Sequence, residues 1–312
     1  MINRTVYNLT GKKVWVAGHR GMVGSATVRR LATEDCDILT VDRKTADLRS
    51  QADVARWMAD ARPDAVFLAA ATVGGIYANE IRPAEFLYDN LMIEANIIQA
   101  ARTNGVEKLL FLGSACIYPR LARQPMAEDA LMTGSLEATN EWYAIAKIAG
   151  IKLCDAFRRQ YGCDFISAMP NNLYGPHDNY DLTSSHVVPA LIRKVHEARI
   201  NNEPTVTIWG TGKPLREFLH VDDCADALIF LMKNYSAEGH VNIGSGEEVS
   251  IAELAQIIAE VAGYRGGFVF DTGKPDGTPR KLLDVSLISG MGWRAKTSLV
   301  AGLQRTYREY AS

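Results

Sequence analysis

Apolar residues along this chain come in short unbroken runs that alternate with segments of helical spacing. Lys13-Val14-Trp15-Val16-Ala17 reads as a buried strand. From Met22 to about Ala32, the placement of Val23, Ala26, Thr27, Arg30 and Leu31 predicts an amphipathic helix. A second strand is expected at Asp37 to Val41, with buried strands at Ala65 to Ala70 and Lys108 to Gly113. A helix over Pro83 to Asn104 lies between the last two. A further helix over Tyr143 to Tyr161 precedes a strand near Asp164 to Met169. Such alternation builds a doubly wound parallel sheet with right-handed crossovers, so the expected class is α/β. From about Gly175 the pattern becomes shorter and more irregular. Turns are expected at Asn201-Asn202, Gly210-Thr211-Gly212 and Pro275-Asp276-Gly277. Residues 1–175 therefore read as the sheet domain. Residues 176–312 read as a smaller α/β substrate domain, with a late strand near Val241-Asn242-Ile243 returning to the sheet.

Composition narrows the partners. The 312 residues carry 34 Lys+Arg against 36 Asp+Glu, a net charge of −2, with 47% hydrophobic residues. Such a chain buries a full core and needs no nucleic acid to balance its charge. No run is long enough to span a membrane, and Met1 to Thr10 is polar, without the apolar region of an export signal. Five cysteines (Cys36, Cys116, Cys154, Cys163, Cys224) are odd in number and lack the paired spacing of a metal site. Free thiols in a reducing cytoplasm are expected, and no metal.

The first strand runs into Gly18-His19-Arg20-Gly21-Met22-Val23-Gly24. Between a strand and a helix, glycines permit a tight turn, let backbone approach a pyrophosphate, and let the helix pack close. The spacing is G-x-x-G-x-x-G rather than G-x-G-x-x-G. The second strand ends at Asp42-Arg43-Lys44. An acid here holds a ribose hydroxyl and argues for NAD. Arg43, Lys44 and Arg20 argue for the extra phosphate of NADP, which guanidinium groups bind as a fork. The bases outweigh the acid, and NADP is expected, with Asp47-Leu48 able to set a carboxylate against the adenine amino group.

Ser114-Ala115-Cys116-Ile117-Tyr118-Pro119 closes an apolar run, and Tyr143-Ala144-Ile145-Ala146-Lys147 follows on a helix. Residues four apart share a helix face, so Tyr143 and Lys147 point into one space. A free phenol has a pKa of ~10. A nearby ammonium draws it down towards useful proton exchange, while Ser114 can hold a substrate oxygen beside it. Cys116 adds a thiol that becomes a base in an electropositive site, or is simply a small buried apolar residue. No G-x-S-x-G elbow surrounds Ser114, which disfavours a serine hydrolase.

These residues resemble the extended short-chain dehydrogenase/reductase class, of Rossmann type, and within it more closely the GDP-L-fucose synthase family. The resemblance is carried by Ala17 to Ser25, Gly113 to Pro119, Asn172-Leu173-Tyr174-Gly175-Pro176-His177-Asp178-Asn179, Arg216 to Asp223 and Lys274 to Lys281. It spans nearly the whole chain from Lys13. It implies one site that inverts carbons 3 and 5 of GDP-4-keto-6-deoxy-D-mannose and then reduces carbon 4 with NADPH. Cys116 is then the base and His186 the acid of inversion, Tyr143 the proton donor in reduction, Lys147 its tuner and Ser114 the residue orienting the ketone. By spacing alone His186 is no better placed than His177 or His220, and it could merely cap the helix that follows.

The resemblance also assigns the cofactor to Gly18 through Gly24, Arg43, Asp47, Leu48, Leu112, Gly113, Tyr143, Lys147, Pro170, Asn171, Asn172, Leu173 and His186. Lys194, Trp209, Arg216 and Asp276 fall to the GDP-sugar, and a homodimer is implied. Thr72 stands where the family often has Lys, and Ala115 where it commonly has Ser. The segment from Asn234 to His240 is shorter than in some members. Those departures bear on the exact sugar, and keep open a related GDP-keto-sugar such as a colitose or heptose precursor. A 4-epimerase or dehydratase that regenerates its nicotinamide, and a non-catalytic NADP sensor, are the other readings. A dehydratase needs an acidic residue near Cys116, which is absent, and a sensor can lose the Tyr or Lys, which are both present.

Overall fold

The computed structural model describes residues 7–274 and 276–312. Residues 1–6 of the expected polar N-terminus, and Pro275 of the expected Pro275-Asp276-Gly277 turn, lie outside the described residues. In chain order the first part contains β1 (Lys13–Ala17), α1 (Met22–Leu31), β2 (Asp37–Leu39), α2 (Gln51–Ala61), β3 (Ala65–Leu68), α3 (Ile76–Ile81), α4 (Pro83–Thr103), β4 (Lys108–Leu112), α5 (Glu141–Tyr161), β5 (Asp164–Pro170) and β6 (Asn172–Tyr174). There follow α6 (Val187–Ile200), β7 (Thr205–Trp209), β8 (Leu215–His220), α7 (Val221–Asn234), β9 (His240–Ile243), β10 (Glu248–Ser250), α8 (Ile251–Ala262), β11 (Gly267–Asp271), β12 (Arg280–Lys281), α9 (Ser286–Gly290) and α10 (Leu299–Ala311).

The main sheet has six parallel strands in the order β2-β1-β3-β4-β5-β9. The chain steps outward from β1 to β2, then crosses to β3 on the other side. The crevice at that reversal, at the carboxyl ends of the strands, is where a doubly wound sheet binds ligands. Strands β1, β3 and β4 are buried almost throughout, as their unbroken apolar runs require in a sheet covered on both faces. One core lies under α2, α4 and α5 and includes Trp15, Val66, Ile97 and Phe111. The other, with Val14, Phe67, Leu110 and Leu228, lies under α1 and α7.

Two differences from the sequence reading have physical causes. The strand expected to reach Val41 ends at Leu39, because β2 pairs only with β1 and its last residues run to the cavity rim as coil. The stretch after Gly175 is less irregular than its turns imply, holding four helices of 12 to 14 residues. Its own core joins Tyr174, Leu191, Ile208, Leu254 and Leu303, and short strands leave glycine turns such as Gly210 and Gly212, both at positive φ, between them. The late strand pairs with β5 at the sheet edge from His240 to Ile243. Helix α7 returns with it, fixed to α1 by Arg30–Asp226 and Arg29–Asp222 ion pairs at 2.8 Å.

Candidate active site

The glycine turn after β1 is dictated by close backbone approach. Gly18 has φ +88, and a Cβ there would stand 2.7 Å from the Ala70 backbone nitrogen after β3. A Cβ on Gly24 would collide with the Gly18 carbonyl oxygen. Gly21 caps α1 in an extended conformation without a side-chain hydrogen bond, so the first-turn N–H groups remain available to an anion. These features fit a dinucleotide pyrophosphate. Gly24→Ala is expected to cost about 1–3 kcal/mol of stability through overpacking and to weaken NADPH binding at least tenfold. Thermal unfolding and fluorescence titration of NADPH measure the two effects.

A cavity of about 610 Å³ opens at this turn. Every residue that the sequence assigns to the cofactor, from Gly18 to His186, lies on its wall, and Ser114 joins them. At one end Asp42 is held by Arg20 at 2.7 Å, with His19 at 3.6 Å. Arg20 and Arg43 are 74% and 73% exposed, so both guanidinium groups can swing to a phosphate. Asp47 lines the wall but is already engaged. Arg49 donates to it at 2.7 Å and holds its carboxyl at about 2, and the same guanidinium reaches Asp89 at 3.3 Å. The backbone N–H of Thr72 donates to Asn90 Oδ1 at 2.9 Å, and Asn90 Nδ2 donates back to the Thr72 carbonyl. A helix α4 residue thus braces the loop after β3.

At the other end α5 presents Tyr143 and Lys147 on one face. The Lys147 ammonium stands 5.8 Å from the Tyr143 ring centre and 4.7 Å from that of Phe111. Burial lifts the Tyr143 phenol well above its ordinary value, with Cys116 and Glu94 adding to the effect and the Ser114 hydroxyl opposing it. His186 occupies the N-cap of α6 yet makes no side-chain capping hydrogen bond. The structural duty that could have explained it is not performed. Its imidazole is pushed down by burial first and by the Lys281 cation second. Of its rivals, His220 does cap, accepting from the Asp222 N–H at 3.3 Å, whereas His177 also lines the cavity, at φ +64.

Cys116 does not line this cavity. It sits in the single turn Ala115–Ile117 after β4, 7% exposed, its N–H donating to Ser114 Oγ at 3.5 Å. Burial raises its thiol, and the Lys281 cation, Ser114 and the Lys147 cation work against that rise. Cys154, also buried, has no such set of cations around it: Asp155 and Glu94 raise its thiol further, and only Arg158 and a Ser167 hydrogen bond oppose them.

The four residues assigned to the GDP-sugar lie off the cavity wall and form a cluster of their own. Lys194 Nζ is 5.3 Å from the Trp209 ring centre and donates to the Thr207 carbonyl at 3.1 Å. Asp276 accepts from the Thr211 N–H at 2.6 Å and from its hydroxyl at 2.8 Å, and its charge acts on the half-buried Arg216. Trp209 is more than half exposed rather than a core residue.

Strand β8 connects this cluster to the cavity. Arg216 pairs with Lys281 of β12, and the next residue, Glu217, is fully buried. The Glu217 carboxylate accepts from Asn171 Nδ2, from the Gly246 N–H at 2.7 Å and from the Leu283 N–H at 3.1 Å. Sequence reasoning missed the roles of Glu217, Lys281, Arg49 and Glu94, because Glu217, Lys281 and Glu94 act through partners distant in the chain, and Arg49 ties its neighbour Asp47 to Asp89 on α4. The matched runs Arg216 to Asp223 and Lys274 to Lys281 carried the signal for Glu217 and Lys281.

Proton-handling groups at the far end of a dinucleotide crevice define a nicotinamide-dependent enzyme of the extended short-chain dehydrogenase/reductase class. The chain belongs to the NAD dependent epimerase/dehydratase family, whose model matches residues 14–244. A GDP-L-fucose synthase of Sinorhizobium fredii is 60% identical over 307 residues, covering 98% of both chains. The GDP-L-fucose synthase of Escherichia coli is 54% identical, covering 96% of this chain and 97% of its own. A crystal structure of a GDP-L-fucose synthetase from Naegleria fowleri bound to NADP superposes with a TM-score of 0.91 at 28% identity, covering 100% of this chain and 98% of that one.

Proposed function

We propose that this chain converts GDP-4-keto-6-deoxy-D-mannose to GDP-L-fucose, inverting carbons 3 and 5 and reducing carbon 4. The observation that carries the reading is the meeting of Ser114, Tyr143, Lys147 and His186 on one dinucleotide cavity, with Cys116 next to Ser114, in a chain 60% and 54% identical to GDP-L-fucose synthases along nearly all its length.

The substrate ketone acidifies the hydrogens on carbons 3 and 5. At each of the two carbons Cys116 as thiolate takes the proton, and His186 delivers one to the opposite face of the enolate. Ser114 hydrogen-bonds the carbon-4 oxygen and holds it beside the Tyr143 phenol, which gives its proton to that oxygen during reduction. NADPH, held by the glycine turn and by Arg20 and Arg43, supplies the hydride. Lys194 and Arg216 offer cations to the diphosphate, Trp209 a ring face, and Asp276 hydrogen-bond acceptors. The cofactor unit is residues 1–175 and the substrate unit mainly 176–312.

Two coarser features accompany this reading. Helices α4 and α5 leave Tyr88, Trp142, Ile145 and Tyr161 exposed, an apolar set that supports a homodimer. No helix among the described residues is long and apolar enough to cross a membrane, and all five cysteines are free thiols, which supports a cytoplasmic location. The test is NADPH and NADH oxidation by the purified protein given GDP-4-keto-6-deoxy-D-mannose, with the product sugar identified by NMR. One NADPH consumed per GDP-L-fucose formed is the expected result. Reduction without inversion removes the roles of Cys116 and His186, and no consumption with cofactor bound points to another keto-sugar.

A further inference from the structure

Behind Tyr143 and Lys147 lies a buried carboxylate that the reaction just described leaves without a task. Lys147 Nζ donates to Glu94 Oε1 at 2.8 Å, and both side chains are 2% exposed. The other oxygen, Glu94 Oε2, is buried and has no hydrogen-bond partner among the described residues. The packing makes room for it. A Cβ on Gly150, three residues beyond Lys147, would stand 2.8 Å from Oε2 and collide with the Phe111 ring. A half-satisfied buried carboxylate opposes folding, and a hydrocarbon of similar size would fill the space at less cost. Its presence asks for a reason in the chemistry.

We propose that Glu94 is a positioning residue that neutralises the Lys147 charge and so keeps Tyr143 a phenol, setting the site for ketone reduction. The proposal rests on the reading of Tyr143 as the proton donor of a reductase. A lone ammonium beside a phenol stabilises phenolate, the form that accepts a proton in alcohol oxidation. Burial raises the Glu94 carboxyl and the Lys147 ammonium at 2.8 Å opposes that rise; as an ion pair the two present a dipole instead of a full charge. Lys147 still has two donors free for a hydroxyl in the cavity, so it orients without stripping the phenol of its proton. The groups that face this trio are few. Ser114 and Cys116 approach from the turn after β4, Lys281 of β12 acts on Cys116, and Cys154 on α5 lies near Glu94. Glu94 itself acts to hold the proton on Tyr143, in the same direction as burial.

The test is Glu94→Gln, which keeps shape and removes charge, read in single-turnover oxidation of NADPH by the keto-sugar between pH 6 and pH 10. The alkaline limb is expected to move down by about one pH unit or more, a tenfold loss at a fixed pH on that limb, with the neutral-pH plateau retained. Glu94→Asp, which restores the charge, brings the limb back towards the unsubstituted protein. A limb that stays, or moves up, in folded Glu94→Gln overturns the proposal. If Glu94→Gln does not fold, Gly150→Ala, which crowds Oε2 away from its place, is read the same way, a downward shift supporting and an unmoved limb overturning. If the unsubstituted protein does not reduce this sugar, the proposed function fails, but the Tyr143 proton is still measurable. Tyrosinate absorbance of the NADP-bound protein minus its Tyr143→Phe counterpart, with and without Glu94→Gln, reports it directly. A lower Tyr143 titration point without the carboxylate supports the proposal, and an equal or higher one overturns it.

Discussion

Replacing Cys116 with serine is expected to slow solvent-deuterium incorporation at carbons 3 and 5 of the keto-sugar by about 10²–10⁴-fold, the usual contribution of a positioned general base. Reduction of the uninverted ketone should survive, because Tyr143, Lys147 and Ser114 are untouched. Serine fits the same turn, and the Cys116 N–H keeps its acceptor on Ser114. The fold should therefore change little, while the new hydroxyl gives up its proton far less readily than a thiol. The pH profile carries a second signature. Burial raises the Cys116 thiol and lowers the His186 imidazole, so each favours its neutral form. The working state, thiolate with imidazolium, is a minor fraction whose population is constant between the two titrations and falls outside them. Exchange should therefore show a broad plateau with an acid limb set by His186 and an alkaline limb set by Cys116. Macroscopic limbs of this kind belong to the pair, so their positions do not depend on which group starts with the proton. Deuterium exchange followed by NMR, beside NADPH oxidation on the same samples, separates the two activities. Loss of both together in a folded Cys116→Ser protein would remove the assignment of Cys116 to inversion.

What the chain disclosed in advance follows from the range of the interactions involved. The six-strand frame was legible because buried parallel strands must be apolar throughout and their crossover helices amphipathic, signals confined to windows of a few residues. The glycine turn was legible for a similar reason. Gly18 and Gly24 answer to backbone within the same β1–α1 unit and to Ala70 immediately across the crevice. Tyr143 and Lys147 share a helix face by spacing alone. His186, by contrast, could not be told from His177 or His220 without the fold. The fold sets only His220 apart, by a hydrogen bond to its own helix that His186 does not make, while His177 and His186 both line the cavity. The least legible contacts join elements far apart in the chain. Glu94 meets Lys147 across 53 residues, and Glu217 meets Leu283 across 66. No local pattern announces a carboxylate whose counter-charge arrives from another helix. Expecting an irregular second half failed for a related reason. Gly210 and Gly212 punctuate the sequence strongly, but they are turns between well-packed elements rather than a weakening of structure.

Tyr143→Phe is expected to produce the opposite phenotype to Cys116→Ser. Removing the phenolic oxygen deletes the proton donor for the carbon-4 oxygen, and NADPH oxidation should fall by about 10²–10⁴-fold. Exchange at carbons 3 and 5 requires a base and an acid but no reduction, so it should continue and let inverted keto-sugar accumulate. The substitution is structurally mild. The Tyr143 ring stands edge-on to Phe86 at 6.3 Å and 82°, a contact that phenylalanine reproduces, and Tyr143 lines the cavity. Stability should stay within about 0.5 kcal/mol, as for substitutions that disturb neither packing nor a buried network. The two variants therefore dissect one site into two chemistries, since each ought to retain what the other loses. Stopped-flow NADPH oxidation and NMR of the quenched sugar measure both in one sample. Were Tyr143→Phe to abolish exchange as well, the phenol would be needed for inversion too. The division of labour between Cys116 and Tyr143 would then give way to a single proton network running from Lys281 past Cys116 and Ser114 to Lys147.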